Sequence, residues 1–146
     1  MRLQKNTSLA LYSVLEFASD PAHHVSAAEI ADKYGVSSHH LAKVLAELAR
    51  SGIVESVRGA GGGYRFTGNA RRLTLMDIIE LFEEVTPPAA EREGQTPVDR
   101  ALGAVLAEID ENAKATFNSI TLATMLGLIE RQQGATAQTV NADRAR

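Results

Sequence analysis

The chain has 146 residues, 45% of them hydrophobic, enough to bury one real core. It contains no cysteine, which excludes disulfides, thiolate nucleophiles, thiol redox switches and any zinc or iron–sulfur centre held by its own thiolates. The net charge of −3 hides a division: residues 1–72 carry nine Lys/Arg against six Asp/Glu, and residues 73–146 six against twelve, so a half suited to phosphates precedes a half suited to solvent or a partner.

In chain order, residues 7–18 place Leu11, Val14, Leu15 and Ala18 at helical spacing, and Pro21 closes that first helix. Ser26 and Glu29 form a capping box for a second helix that runs to about Tyr34. Gly35 supplies the positive φ of a sharp turn, Val36 plugs the corner, and Ser37 caps a third helix over about 38–51, ending at Gly52. Ala28, Ala31, Leu41, Val44, Leu45 and Leu48 are the expected apolar faces of these two helices.

The period then becomes near-alternating, with Ile53, Val54, Val57, Tyr64 and Phe66 around a glycine-rich tip, which predicts a β-hairpin. Thr74 and Asp77 cap a helix over about 75–85 that Pro87 and Pro88 end. Residues 87–97 are polar and proline-flanked, and are expected to be a loop or linker. Val98, Leu102, Val105, Leu106, Ile109, Ala113 and Phe117 recur every three or four positions and predict one long amphipathic helix to about Asn118. Thr121 caps a last short helix within a segment 98–133, and residues 134–146, lacking apolar anchors, are expected to be disordered.

The expected fold is mainly α with a small β-hairpin wing: a winged helix-turn-helix domain over 1–86, followed by a long C-terminal dimerisation helix. Ala31, Gly35, Leu41 and Val44 carry the helix-turn-helix pattern, a small residue at the crossing, a glycine at the turn, then two residues that seal it. An ordinary helical hairpin shares that spacing; the β-hairpin that follows favours the winged helix, whose third helix enters a major groove by its amino-terminal end. The wing tip, Arg58-Gly59-Ala60-Gly61-Gly62-Gly63 followed by Tyr64 and Arg65, suits close approach to phosphates, and Arg58 suits a narrow minor groove. A nucleotide-binding reading of the glycines has little support, because the run lacks the GxxxxGK[ST] order and sits between two strands.

The opening Met1-Arg2-Leu3, residues 25–66, the run LTLMDIIELFE (73–83) and NSITLATML (118–126) resemble, in order, blocks of the Rrf-two type winged-helix transcriptional regulators. The resemblance implies a symmetric dimer crossed through its long helices that binds double-stranded DNA at a pseudo-palindromic operator. It places base-reading residues on Ser38, His39, Ala42 and Lys43. Ser37 and His40 join them as recognition-helix contacts, with Ser38 and His40 equally suited to phosphates. Arg2, Arg58, Gly59, Gly61, Gly62, Gly63, Tyr64 and Arg65 match backbone or minor-groove contacts. Ser8 and Leu9 depart from the basic residue and tyrosine of many members.

Cluster-binding members carry three cysteines in the segment corresponding to about 87–104, and this chain has none. It looks like the cluster-free branch, with no cofactor expected and with a small-molecule effector or a protein partner both open as the signal. If there is an effector site, its expected position is the 85–105 segment.

The expected dimer interface is Leu102, Val105, Leu106, Ile109 and Phe117. No metal site is expected, since the adjacent pairs His23-His24 and His39-His40 are poorly spaced for chelation on a helix. An enzyme is not expected either: no GxSxG elbow occurs, and the carboxylates fall at helix starts and on polar faces. No apolar run approaches the roughly 18 residues of a membrane span, and the amino terminus has no secretory pattern, so the expectation is a cytoplasmic protein. The competing functional reading is an adaptor that binds a partner protein through the long helix, with DNA binding weak or lost.

Overall fold

The computed structural model describes residues 3–60, 62–83 and 96–145 of the chain. Helix α1 (Lys5–Ser19) buries Leu9, Ala10, Val14, Phe17 and Ala18 along one face, while Leu11 and Leu15 are half-buried at its margins. Its first turn is closed by a distant carboxylate: Glu83 Oε1 accepts from the Gln4 amide at 2.9 Å and from the buried Thr7 hydroxyl at 2.6 Å. That contact satisfies donors that a helix start leaves open.

Helix α2 (Ala27–Tyr34) begins with the expected capping box, in which the Glu29 amide donates to Ser26 Oγ and the Ser26 amide donates to Glu29. The Ser26 amide and hydroxyl hold the Glu29 carboxyl below its usual range. It buries Ile30 and Ala31 rather than Ala28, which is exposed. Gly35 ends it at φ +62°, the left-handed value that only glycine adopts cheaply, and its amide donates to Ala31. Helix α3 (Ser38–Arg50) follows after two residues and buries Leu41, Val44, Leu45 and Leu48 against α1 and α2.

Strands β1 (Val54–Val57) and β2 (Gly63–Phe66) pair antiparallel with Val54 opposite Phe66 and Val57 opposite Gly63. Val25 adds an isolated bridge to Tyr64, so the ribbon is tied to the segment before α2. The approach is tight enough to require a glycine at 63, where a Cβ would lie 2.5 Å from the Val25 carbonyl oxygen.

Helix α4 (Leu75–Ile79) starts at the expected Thr74–Asp77 capping box but is shorter than the sequence suggests, because residues 80–83 continue as turns. The expected linker 87–97 lies outside the described residues up to 95; Thr96 already caps the next helix, and Pro97 is inside it. That helix, α5 (Pro97–Ser119), buries only Gly103 and touches the rest of the fold mainly through α4.

Helix α6 (Leu122–Arg144) corrects one expectation. In place of a short helix and a disordered tail from 134, one helix of 23 residues extends to Arg144. Its start is stitched to the head, with Leu122 fully buried and its amide donating to Leu73 at 2.8 Å, and the Leu75 amide donating to Ile120 at 2.9 Å. Residues 130–145 are exposed on every side. Helix can form there because Gln, Ala, Thr and Arg are tolerable helix formers, so the missing apolar face left the sequence without a periodic signal rather than without a helix.

The core thus gathers α1, α3, α4 and the first residue of α6 around Phe17, Leu41, Leu45, Leu48, Ile78 and Leu122. Among the described residues no helix is long and apolar enough to cross a membrane.

Candidate nucleic-acid interface

Burying one face of α3 leaves the opposite face outward, and Ser38, His39, Ala42 and Lys43 are all exposed there. Ser37 is committed locally as the N-cap, its hydroxyl oxygen accepting from the His40 amide at 3.1 Å. The helix start therefore presents uncompensated amides and the positive end of its dipole beside the Lys43 ammonium. His40 departs from the other recognition-helix candidates. Its Nε2 is shut off from solvent and has no hydrogen-bond partner among the described residues, although the residue as a whole is only half-buried.

The wing separates its candidates in the same way. Arg58 is exposed beside the tip, Gly59 turns at φ +103°, and the Gly62 amide closes that turn on the Gly59 carbonyl at 2.9 Å. A Cβ at Gly62 would meet the Val57 carbonyl oxygen at 2.4 Å, which explains a glycine there without reference to any ligand. Tyr64 is turned inward: its backbone exchanges hydrogen bonds with Val25 at 2.9 and 3.1 Å, and its ring stacks on Phe17 with centroids 6.0 Å apart. It ties the wing to the segment before α2 and to α1 while staying partly exposed. Arg65 is exposed but paired with Glu55 directly across the ribbon. Arg2 and Gly61 lie outside the described residues.

Among the described residues, Lys43, Arg58, Arg71 and Arg72 carry exposed charges with no carboxylate partner, whereas Arg50 and Arg65 are neutralised by Glu47 and Glu55. Arg71 and Arg72, in the turn after β2, entered the sequence reading only as part of the charge balance. Unpaired cations are the ones free to replace counterions on a nucleic-acid backbone.

On α5 the exposed stripe is Val98, Leu102, Val105, Leu106 and Ile109, each more than half exposed. Phe117 does not belong to it: the ring is half-buried and packs against the head's own core.

A second polar cluster escaped the sequence reading. On the side of the head formed by α1 and α2, Glu16 Oε1 accepts from the Tyr34 hydroxyl and from Lys33 Nζ, both at 2.5 Å. Burial works to raise the Glu16 pKa, but the Lys33 and Tyr34 hydrogen bonds and the Lys33 charge outweigh it and hold the carboxyl below its ordinary range. Burial and the bond to Glu16 push the Tyr34 phenol well above its ordinary value. Both residues of each contact are more than fifteen positions apart, beyond the reach of any helical spacing rule.

The chain matches a family model, Rrf2, described as an iron-dependent transcriptional regulator, over residues 3–128. It is 48% identical over 147 aligned positions to a Rhodopseudomonas palustris protein named as the HTH-type transcriptional regulator BadM, spanning all of this chain and 94% of that protein. Among solved structures, IscR of T. potens superposes with a TM-score of 0.73 at 27% identity, covering 91% of each chain. CymR (YrzC), the global cysteine regulator of B. subtilis, superposes with a TM-score of 0.70 at 26% identity, covering 88% of this chain and 98% of that one.

Proposed function

The chain belongs to the Rrf2 family of transcriptional regulators, and we propose that it works as a homodimeric repressor that reads a pseudo-palindromic operator through α3 and the wing. The observation that supports this reading best is the exposed amino-terminal face of α3, where Ser38, His39, Ala42 and Lys43 stand opposite the buried Leu41, Val44, Leu45 and Leu48. Lys43 and His39 donate to base edges, while Arg58, the wing glycines and the unpaired Arg71 and Arg72 bind the backbone.

The apolar stripe of α5 is the natural surface for a second copy, since five large hydrophobic side chains in a row are costly to leave in water. A two-fold axis there sets the recognition helices about one helical turn, roughly 34 Å, apart. Repression then follows from occlusion of the promoter.

The iron in the family's description does not fit this chain's donors. There is no thiolate to hold a cluster, and among the described residues no three His, Asp or Glu side chains converge. No step of the mechanism runs through a metal. Regulation instead requires a small molecule or a partner protein that binds the DNA-free geometry more tightly than the DNA-bound one.

The test is a footprint of the purified chain on promoter fragments from its own genome. A protected, two-fold symmetric site whose occupancy falls steeply with salt supports the reading. Binding with no sequence preference at low salt would instead favour the adaptor.

A further inference from the structure

Away from α3 and the wing, a cleft of about 310 Å³ opens between α1, the end of α2 and α6. Its wall is the ring of Tyr12, 45% exposed and backed by the stacked ring of Tyr34. Leu15 of α1 and Met125 and Ile129 of α6 supply an apolar floor. Glu16, Lys33 and Gln133 supply a polar rim.

The two rim charges are already matched to each other, and the Tyr34 hydroxyl shares the same carboxylate oxygen. A charged guest would have to compete with that pair, whereas a neutral guest leaves it intact. The second oxygen, Glu16 Oε2, takes neither Tyr34 nor Lys33 and remains an acceptor. The volume sits at the lower end of the roughly 300–1,000 Å³ common for ligand pockets, which suits one or two rings. A flat ring laid on the open face of Tyr12 would extend the existing stack.

We propose that this cleft is an effector site for an uncharged one- or two-ring aromatic molecule with a single hydrogen-bond donor, its ring on Tyr12 and its donor on Glu16 Oε2. The site is joined to the DNA-reading helix through the turn between α2 and α3. Tyr34 is the last residue of α2, one position before the Gly35 turn into α3, and the opposite wall is α6, which continues from the α5 junction. A guest that fills the cleft therefore acts on the angle between the reading head and the long helices. This second step rests on the regulator reading; the binding step does not.

The experiment titrates the full chain, without DNA, with indole, N-methylindole, cyclohexanol and benzoate, followed by ligand-observed nuclear magnetic resonance and calorimetry. Saturable one-site binding of indole is expected, with N-methylindole and cyclohexanol weaker. Tyr12→Ala should weaken indole by about tenfold or more, while Tyr12→Phe, which keeps the ring, should retain it and control for folding. Absence of saturable indole binding, equal binding to Tyr12→Ala, or benzoate binding more tightly than indole would each overturn the site or its ligand class.

A gel-shift titration then reads the coupling. Indole should change promoter affinity, and DNA should change indole affinity by the same factor. Indole binding that leaves promoter affinity unchanged overturns the effector role. A chain that binds no DNA even without indole marks failure of the regulator reading instead.

Discussion

Tyr12 and Tyr34 lie face to face, their ring centroids 4.8 Å apart and their planes 11° from parallel, so α1 and the end of α2 meet through an aromatic stack. The Tyr34 hydroxyl beyond the stack ends on Glu16, which returns to α1 one turn after Tyr12. The stack and the hydrogen bond can be separated by substitution. Tyr34→Phe keeps the ring and removes the donor to a carboxylate, and should cost about 1 kcal/mol, below the usual 1.5–3 for a charged partner because the site is half open to water. An unchanged urea midpoint in that variant would show that Lys33 alone holds Glu16.

The same carboxylate predicts a pH dependence. Its folded pKa lies below the ordinary 4.5, so its contribution is present above that value and is lost as pH falls through the lower folded pKa. Glu16→Gln should therefore be less stable than the parent near neutrality, and the two should converge as pH drops below about 4.5. The Tyr34 phenol is shifted upward, so its share persists below pH 10.0 and is lost only as pH rises through the higher folded value. Thermal melts of both proteins from acid to alkaline pH measure these limbs, and parallel curves throughout the acid range would contradict the assignment.

At Gly63 a new Cβ would meet backbone at 2.5 Å, and backbone cannot rotate away as a side chain can. Gly63→Ala should cost about 1–3 kcal/mol, in the range of over-packed sites. It should also loosen the Val25–Tyr64 bridge, read as faster hydrogen exchange at the Tyr64 and Val25 amides. Unchanged protection at both would mean that the ribbon shifts without leaving Val25.

On DNA, Lys43→Ala and Arg58→Ala should both weaken binding, each reducing the salt slope by about one contact's worth. Only Lys43→Ala should also relax sequence preference, because Lys43 stands on the outward face of α3 while Arg58 stands at the wing. Equal losses on operator and unrelated DNA for Lys43→Ala would remove it from the base-reading set.

Leu106→Asp or Ile109→Asp should split the dimer, since both side chains are more than half exposed in the single chain and substitution there leaves the head's core intact. Sedimentation should show a folded monomer. A stable dimer in both variants would move the interface off α5. Phe117→Asp would be a poor substitute, because that ring packs against the core and its loss would unfold rather than dissociate.

The head was legible in the sequence because its signals are local. Ser26–Glu29, Gly35, Ser37 and Thr74–Asp77 each announce a cap or turn within four residues, and the structure has the capping boxes and the left-handed glycine at those positions. Residues whose placement depends on distant contacts were not legible. The stack of Tyr64 on Phe17 and the burial of His40 Nε2 depend on contacts far along the chain, and Phe117 shares the period of the α5 stripe yet packs against the head. The Glu16 cluster and the Glu83 contact to α1 join positions that no periodic rule connects. The end of α6 failed for the opposite reason: its sequence has no buried face, so there was no period to see.

That free end has a practical consequence. At 1.5 Å per residue, α6 extends about 35 Å, and beyond Gln133, which rims the cleft, its residues up to 145 are exposed. The chain has no native thiol, so one cysteine introduced at Thr139 or Val140 would be a unique attachment point for a spin label or a dye. The helix would then serve as a pointer whose tip magnifies small rotations at its root, turning any reorientation of the reading heads into a measurable distance between two labels.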